Sequence, residues 1–96
     1  MSDEFFLKTT ETKLSVEQKI VLNRKGNELF NKGRIEMAAK IFATTGYSDG
    51  LNRVGDFFYK KNEKLVALKY YKLANNKHNV DIIIQDLTQV IRTMIE

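Results

Sequence analysis

The 96-residue chain contains no cysteine, no proline, no tryptophan and one histidine. Without cysteine, disulfides, thiol nucleophiles and thiolate metal sites are excluded together. His78 cannot build a zinc site alone, and no second histidine exists to share a helix face with it. We therefore expect no metal and no cofactor. The lack of proline suits a chain that is mostly helix with short connections, since proline breaks helix interiors. No apolar run approaches the roughly 20 residues needed to cross a bilayer. The N-terminus carries Asp3, Glu4 and only a short Phe5-Phe6-Leu7 run, unlike a signal peptide. A cytoplasmic protein without a membrane role is the expectation. Gly-rich phosphate loops, paired-histidine helices and Gly-x-Ser-x-Gly turns are all missing. Asp56, Glu63, Asp81 and Asp86 have no spacing that pairs them as acid and base. His78, at an expected helix end, reads as a cap on free carbonyls rather than a catalyst. The expectation is a protein that is not an enzyme. Composition nonetheless favours a folded chain, with 43% hydrophobic and 29% charged residues.

What the chain does contain is one pattern written twice. Gly26-Asn27-Glu28-Leu29-Phe30-Asn31-Lys32-Gly33 leads to Ala38 and Ile41-Phe42. Gly55-Asp56-Phe57-Phe58-Tyr59-Lys60-Lys61-Asn62 leads to Ala67 and Tyr70-Tyr71. Positions 26 and 55, 33 and 62, 38 and 67, and 42 and 71 are all 29 apart. A small residue, large apolar ones, a turn, an alanine and an aromatic pair together describe a helical hairpin. Its repetition describes hairpins that stack because neither buries its apolar face alone. Residues 1–13 read as a polar, flexible acidic tail, and 14–96 as a single helical domain. Its repeats run over about 19–46 and 48–76, with a capping helix over 79–95.

Five helices follow from caps and periodicity. Ser15 and Gln18 offer a capping box for a helix from Val16 to about Lys32, with Leu14 placed to staple its start. Gly33 turns the chain into a second helix, Ile35 to Ala43. The Thr44–Gly50 stretch is the clearest break. A third helix spans Asp49 to Lys61, and Asn62 turns and caps the fourth, Glu63 to Asn75. Asn79 caps the last, Val80 to Ile95, where Val80, Ile83, Ile84, Leu87, Val90, Ile91, Met94 and Ile95 form one wide stripe. Such a stripe is expected to be buried over the end of the stack.

Charge is segregated. Residues 1–18 sum to −2, residues 19–77 to +8 and residues 78–96 to −2. The basic middle, with Tyr47, Tyr59, Tyr70 and Tyr71, makes nucleic-acid binding the alternative function. Against it, no recognised binding motif appears and Tyr70-Tyr71 occupy repeat-core positions. The acidic tail, with Phe5-Phe6-Leu7, could dock in the chain's own basic groove or a neighbour's.

The two hairpins resemble tetratricopeptide repeats. The family's ordered positions read Leu22, Gly26, Leu29, Gly33, Ala38, Phe42 and Thr45 in the first copy. In the second they read Leu51, Val54-Gly55, Phe58, Asn62, Ala67, Tyr71 and Ala74. The period is 29 where that family has roughly 34, and the helix-ending proline is absent. The resemblance implies an all-α, α-α superhelix type of architecture with two stacked hairpins and a C-terminal helix. It also implies an adaptor that binds a peptide or helix of another protein in a groove formed by the first helix of each hairpin. Carried over by position, the groove-facing candidates are Asn23, Asn27, Phe30 and Asn31, then Arg53, Asp56, Tyr59 and Lys60. Asparagine can hydrogen-bond a peptide backbone through donor and acceptor alike, and Arg53 and Lys60 can hold a carboxylate. Two repeats are fewer than the three or so that usually stand alone. The last helix, or self-association with a second copy, is expected to supply the remaining burial.

Overall fold

The computed structural model describes residues 13–95. The tail expected over 1–13, with its Phe5-Phe6-Leu7, lies outside the described residues except for Lys13. Among the described residues the chain is all-α, with five helices: α1 Val16–Asn31, α2 Ile35–Thr45, α3 Ser48–Lys60, α4 Lys64–Leu73 and α5 Lys77–Ile95. It divides into two compact units, Met1–Gly50 and Leu51–Glu96.

Local chemistry sets the helix ends. At the start of α1, Ser15 Oγ accepts from the Gln18 amide at 3.1 Å and Gln18 Oε1 accepts from the Ser15 amide at 2.8 Å. This is the expected capping box. All four connections then use one device. Gly33, Gly46, Asn62 and Asn75 adopt left-handed backbone, with φ of 85°, 72°, 62° and 57°. In each case the next amide reaches back five residues. Arg34 bonds the Leu29 carbonyl, Tyr47 that of Phe42, Glu63 that of Phe58 and Asn76 that of Tyr71, all at 2.9 Å. This closes each helix by satisfying a carbonyl its last turn leaves open. Glycine and asparagine are the residues that reach this conformation at least cost. A β-carbon on Gly33 would meet nothing within 4 Å, so only backbone strain opposes it. Gly33→Ala should therefore cost about 1–2 kcal/mol, read from the shift in urea midpoint.

In the first unit, α1 packs on α2 around Phe42, which is fully buried together with Ala38 and, nearly so, Ala39. A β-carbon on Gly26 would come within 2.6 Å of the Phe42 ring. Glycine is what allows α1 so close. In the second unit Gly55 meets the Tyr71 ring in the same way, again at 2.6 Å. Tyr71, Ala67 and Ile83 form the buried cluster of that unit, with Phe58, Tyr59, Leu68, Val80 and Leu87 packed against it. The hairpin recipe read from the sequence is therefore present in each unit as a glycine-to-aromatic contact.

The last helix departs from expectation in three ways. It begins at Lys77 and not at Val80, because Asn75 makes the turn and Asn76 is the cap; Asn76 Oδ1 accepts from the Asn79 amide at 3.1 Å. Asn79 thus lies inside the first turn. His78 lies there too, exposed, in a first turn and not in the last turn of a helix, where a carbonyl cap would sit. Finally, the wide stripe is only partly covered. Ile83 is buried and Val80 and Leu87 are half-buried, but Ile84, Val90, Ile91, Met94 and Ile95 are 48–80% exposed. Length explains this for Val90, Ile91, Met94 and Ile95. Helix α5 has 19 residues and its partner α4 has 10, so α5 outruns α4 by roughly 13 Å at 1.5 Å per residue. A smaller correction concerns Asn62, which supplies the turn but not the cap; Glu63 is the N-cap of α4, without a side-chain bond.

The 29-residue period extends further than the two hairpins. Helix α5 starts 29 residues after α3, and Val80, Ile83 and Leu87 stand 29 after Leu51, Val54 and Phe58. Ile84 stands where the earlier copies have Gly55 and Gly26. A bulky residue there cannot receive an aromatic ring as those glycines do.

Candidate functional site

The eight candidates from the sequence fall on two helices. Asn23, Asn27, Phe30 and Asn31 share one face of α1, at spacings of four, seven and eight residues. Asn31 is exposed and the other three are half-buried. Asn23 already has a partner within its own unit, because the buried Thr45 hydroxyl donates to its Oδ1 at 2.6 Å. That leaves its amide group, but ties its orientation to the hairpin. Arg53, Asp56, Tyr59 and Lys60 share a face of α3. Asp56 and Lys60 are exposed; Arg53 and Tyr59 are half-buried.

Within the second unit the structure brings two of these residues into one cleft. Asp56, Tyr59, Tyr71, Asn79 and Ile82 line a concavity of about 230 Å³. Its floor is the Tyr71 hydroxyl, on a side chain only 3% exposed. That hydroxyl donates to Asp56 Oδ1 and also meets the Asn79 side chain. Burial pushes the Tyr71 phenol well above its ordinary value, and the Asp56 carboxylate beside it pushes the same way. Tyr71 therefore stays a protonated donor at neutral pH. Tyr59 packs its ring on the buried cluster while its hydroxyl donates to Asp86 Oδ2 at 3.2 Å. Lys64 pairs with the same carboxylate oxygen at 3.6 Å. Arg53 and Lys60 do not line the cleft.

Three of the five lining residues were not among the sequence candidates. Tyr71 reads as a repeat-core aromatic and Asn79 as a cap, and Ile82 lies outside the apolar stripe read on the last helix. A signal was nonetheless available at the 29-residue offset. Asn27 becomes Asp56, Phe30 becomes Tyr59, Phe42 becomes Tyr71 and Gly50 becomes Asn79. Each change adds polarity or charge, and all four products line this cleft.

The second kind of surface is apolar. Leu14, Val21 and Leu22 of the first unit line a shallow depression, and Val16, Ile20 and Val21 are more than half exposed. On α5, Met94 and Ile95 are 80% and 79% exposed. Apolar side chains gathered at this exposure mark interaction surfaces more often than plain solvent faces.

An uncharacterized protein of Treponema pallidum (strain Nichols) is 42% identical to the chain over 82 residues, covering 85% of this chain and 79% of the relative. The chain belongs to the same family as that Treponema protein. Neither unit alone holds 82 residues, so the family resemblance runs through both. No family model matches the chain, and no solved structure does. Among the described residues, no group of three or more His, Asp or Glu side chains is placed to hold a metal. No helix among them is long and apolar enough to cross a membrane.

Proposed function

We propose that the chain is a non-catalytic interaction module that binds a peptide or helix of another protein. The observation that carries this reading is the open apolar face of α5. Ile84, Ile91 and Ile95 recur at helical spacing along it, joined near its end by Val90 and Met94. Water contact with so much apolar surface is unfavourable by roughly 25 cal/mol per Å², and a partner helix would relieve it. The finer reading is that each hairpin is tetratricopeptide-like, supported by its glycine-to-aromatic contact. On that reading Asn23, Asn27, Phe30 and Asn31 of α1, and Arg53, Asp56, Tyr59 and Lys60 of α3, face a partner as well.

Affinity capture from nuclease-treated lysate tests the proposal with three equally folded proteins. Wild type should retain a protein that Ile91→Glu/Met94→Glu loses by at least tenfold. Capture lost instead by Asn27→Ala/Arg53→Glu/Lys60→Glu would move the surface to α1 and α3. Capture that vanishes on nuclease treatment alone would replace the reading with nucleic-acid binding through the basic middle.

A further inference from the structure

The polar residues of the cleft on α3, α4 and α5 are not required by hairpin packing. Phe42 fills the first hairpin against Gly26 with no hydroxyl, as Tyr71 fills the second against Gly55. Adding a hydroxyl at such a buried position carries a desolvation cost that hydrogen bonds only offset. Yet the second copy carries polar groups at three matching positions, Asp56, Tyr59 and Tyr71, and they gather in one place with Asn79 of α5.

Most of them present acceptors, while the Asn79 amide meets the Tyr71 hydroxyl. The Tyr71 proton is committed to Asp56 and the Tyr59 proton to Asp86, so the Tyr59 oxygen offers its lone pairs and the Tyr71 oxygen the one that Asn79 leaves. Asp56 offers its second carboxylate oxygen. Glu28, Asp81 and Asp86 each pair with a lysine, whereas no Lys or Arg among the described residues forms an ion pair with Asp56. The result is a concavity with acceptors, a negative charge and no cation of its own. Ile82 adds an apolar wall suited to a methylene stem.

We propose that this cleft receives a cationic side chain, the ammonium of lysine or the guanidinium of arginine, from the bound partner. The stem lies along Ile82, and the N–H groups donate to Asp56 and the tyrosine oxygens as charge-assisted hydrogen bonds. The chain's net charge of +4 opposes a cation at long range. Screening over about 8 Å at physiological salt leaves the local carboxylate to decide. This deepens the interaction reading and rests on it only for the source of the cation.

The test uses the ¹⁵N-labelled full chain titrated with N-acetyl-lysine amide, N-acetyl-arginine amide and the uncharged N-acetyl-norleucine amide. One or both cations should give saturable shifts confined to the amides around Asp56, Tyr59, Tyr71, Asn79 and Ile82, and norleucine none. Asp56→Asn should weaken binding at least tenfold. Tyr71→Phe, the residue the first copy carries at that place, should weaken it at least threefold in a chain still folded by circular dichroism. Equal shifts with norleucine, or unchanged affinity in Asp56→Asn, would overturn the assignment. Failure of both cations, with lysate capture through α5 intact, would remove the cleft and leave the interaction reading. Saturable cation binding in a chain that captures no protein would keep the cleft and remove that reading.

Discussion

Phe42→Ala should cost the protein about 3–5 kcal/mol, the largest loss expected from any single truncation in the first unit. The ring has no exposed surface. It lies against Gly26 of α1 and Gly50 at the start of α3, with Tyr47 edge-on at a centroid distance of 5.5 Å. Glycine backbone on two sides cannot move inward to refill the space, so the cavity term adds to the lost transfer energy. Small domains hold only about 5–15 kcal/mol in total. Equilibrium urea unfolding should show a midpoint lowered by a large fraction of its value. A loss under about 1 kcal/mol would mean that Phe42 is not the centre of that hairpin.

The opposite change, adding one carbon at Gly50, is expected to cost about 1–3 kcal/mol or more. A β-carbon there would sit 2.5, 2.6 and 2.7 Å from Cγ, Cδ2 and Cδ1 of Phe42. These atoms are the root of the ring, fixed to the α2 backbone, so no rotamer change clears them. At Gly26 and Gly55 the nearest atom is Cε1, farther along the ring from its attachment to the backbone. The expected order is therefore Gly50→Ala worst, with Gly26→Ala and Gly55→Ala milder. Phe42→Ala should make Gly50→Ala nearly free, because removing Cγ, Cδ1 and Cδ2 removes the clash. A double-mutant cycle reads this as a coupling of opposite sign to the single losses. Simple additivity would contradict the ring-on-glycine contact.

The hairpins were legible in the sequence because their signals are local and repeated. Ser15 and Gln18 announce a cap, Gly33 and Asn62 a turn, and Gly26 with Phe42 a close contact copied 29 residues on at Gly55 and Tyr71. The last helix is less legible, for two physical reasons. Asn75, Asn76 and Asn79 are all plausible turn or cap residues, and only the backbone decides that Asn75 turns and Asn76 caps. The stripe from Val80 to Ile95 states that the face is apolar, but not that α4 is too short to cover it. The cleft was half legible. Asp56 and Tyr59 stand on the helix face first singled out, whereas Tyr71 and Asn79 reach the same spot from α4 and α5, which linear reading assigns to core and cap.

The family shared with the Treponema protein has a bearing on which surfaces to test. An alignment of 82 residues at 42% identity must run through both hairpin units. Residues of both units therefore have a natural second test case, in which variants at aligned positions can be compared.

The central claim is that the outer face of α5 serves a partner and not the fold. Urea unfolding of purified Ile91→Glu/Met94→Glu against wild type tests it most directly. Both side chains are more than half exposed, so the expected free energy of unfolding lies within about 0.5 kcal/mol of wild type, with the same denaturant slope. A loss of about 2 kcal/mol or more would place this face in the protein's own core and contradict the interaction reading.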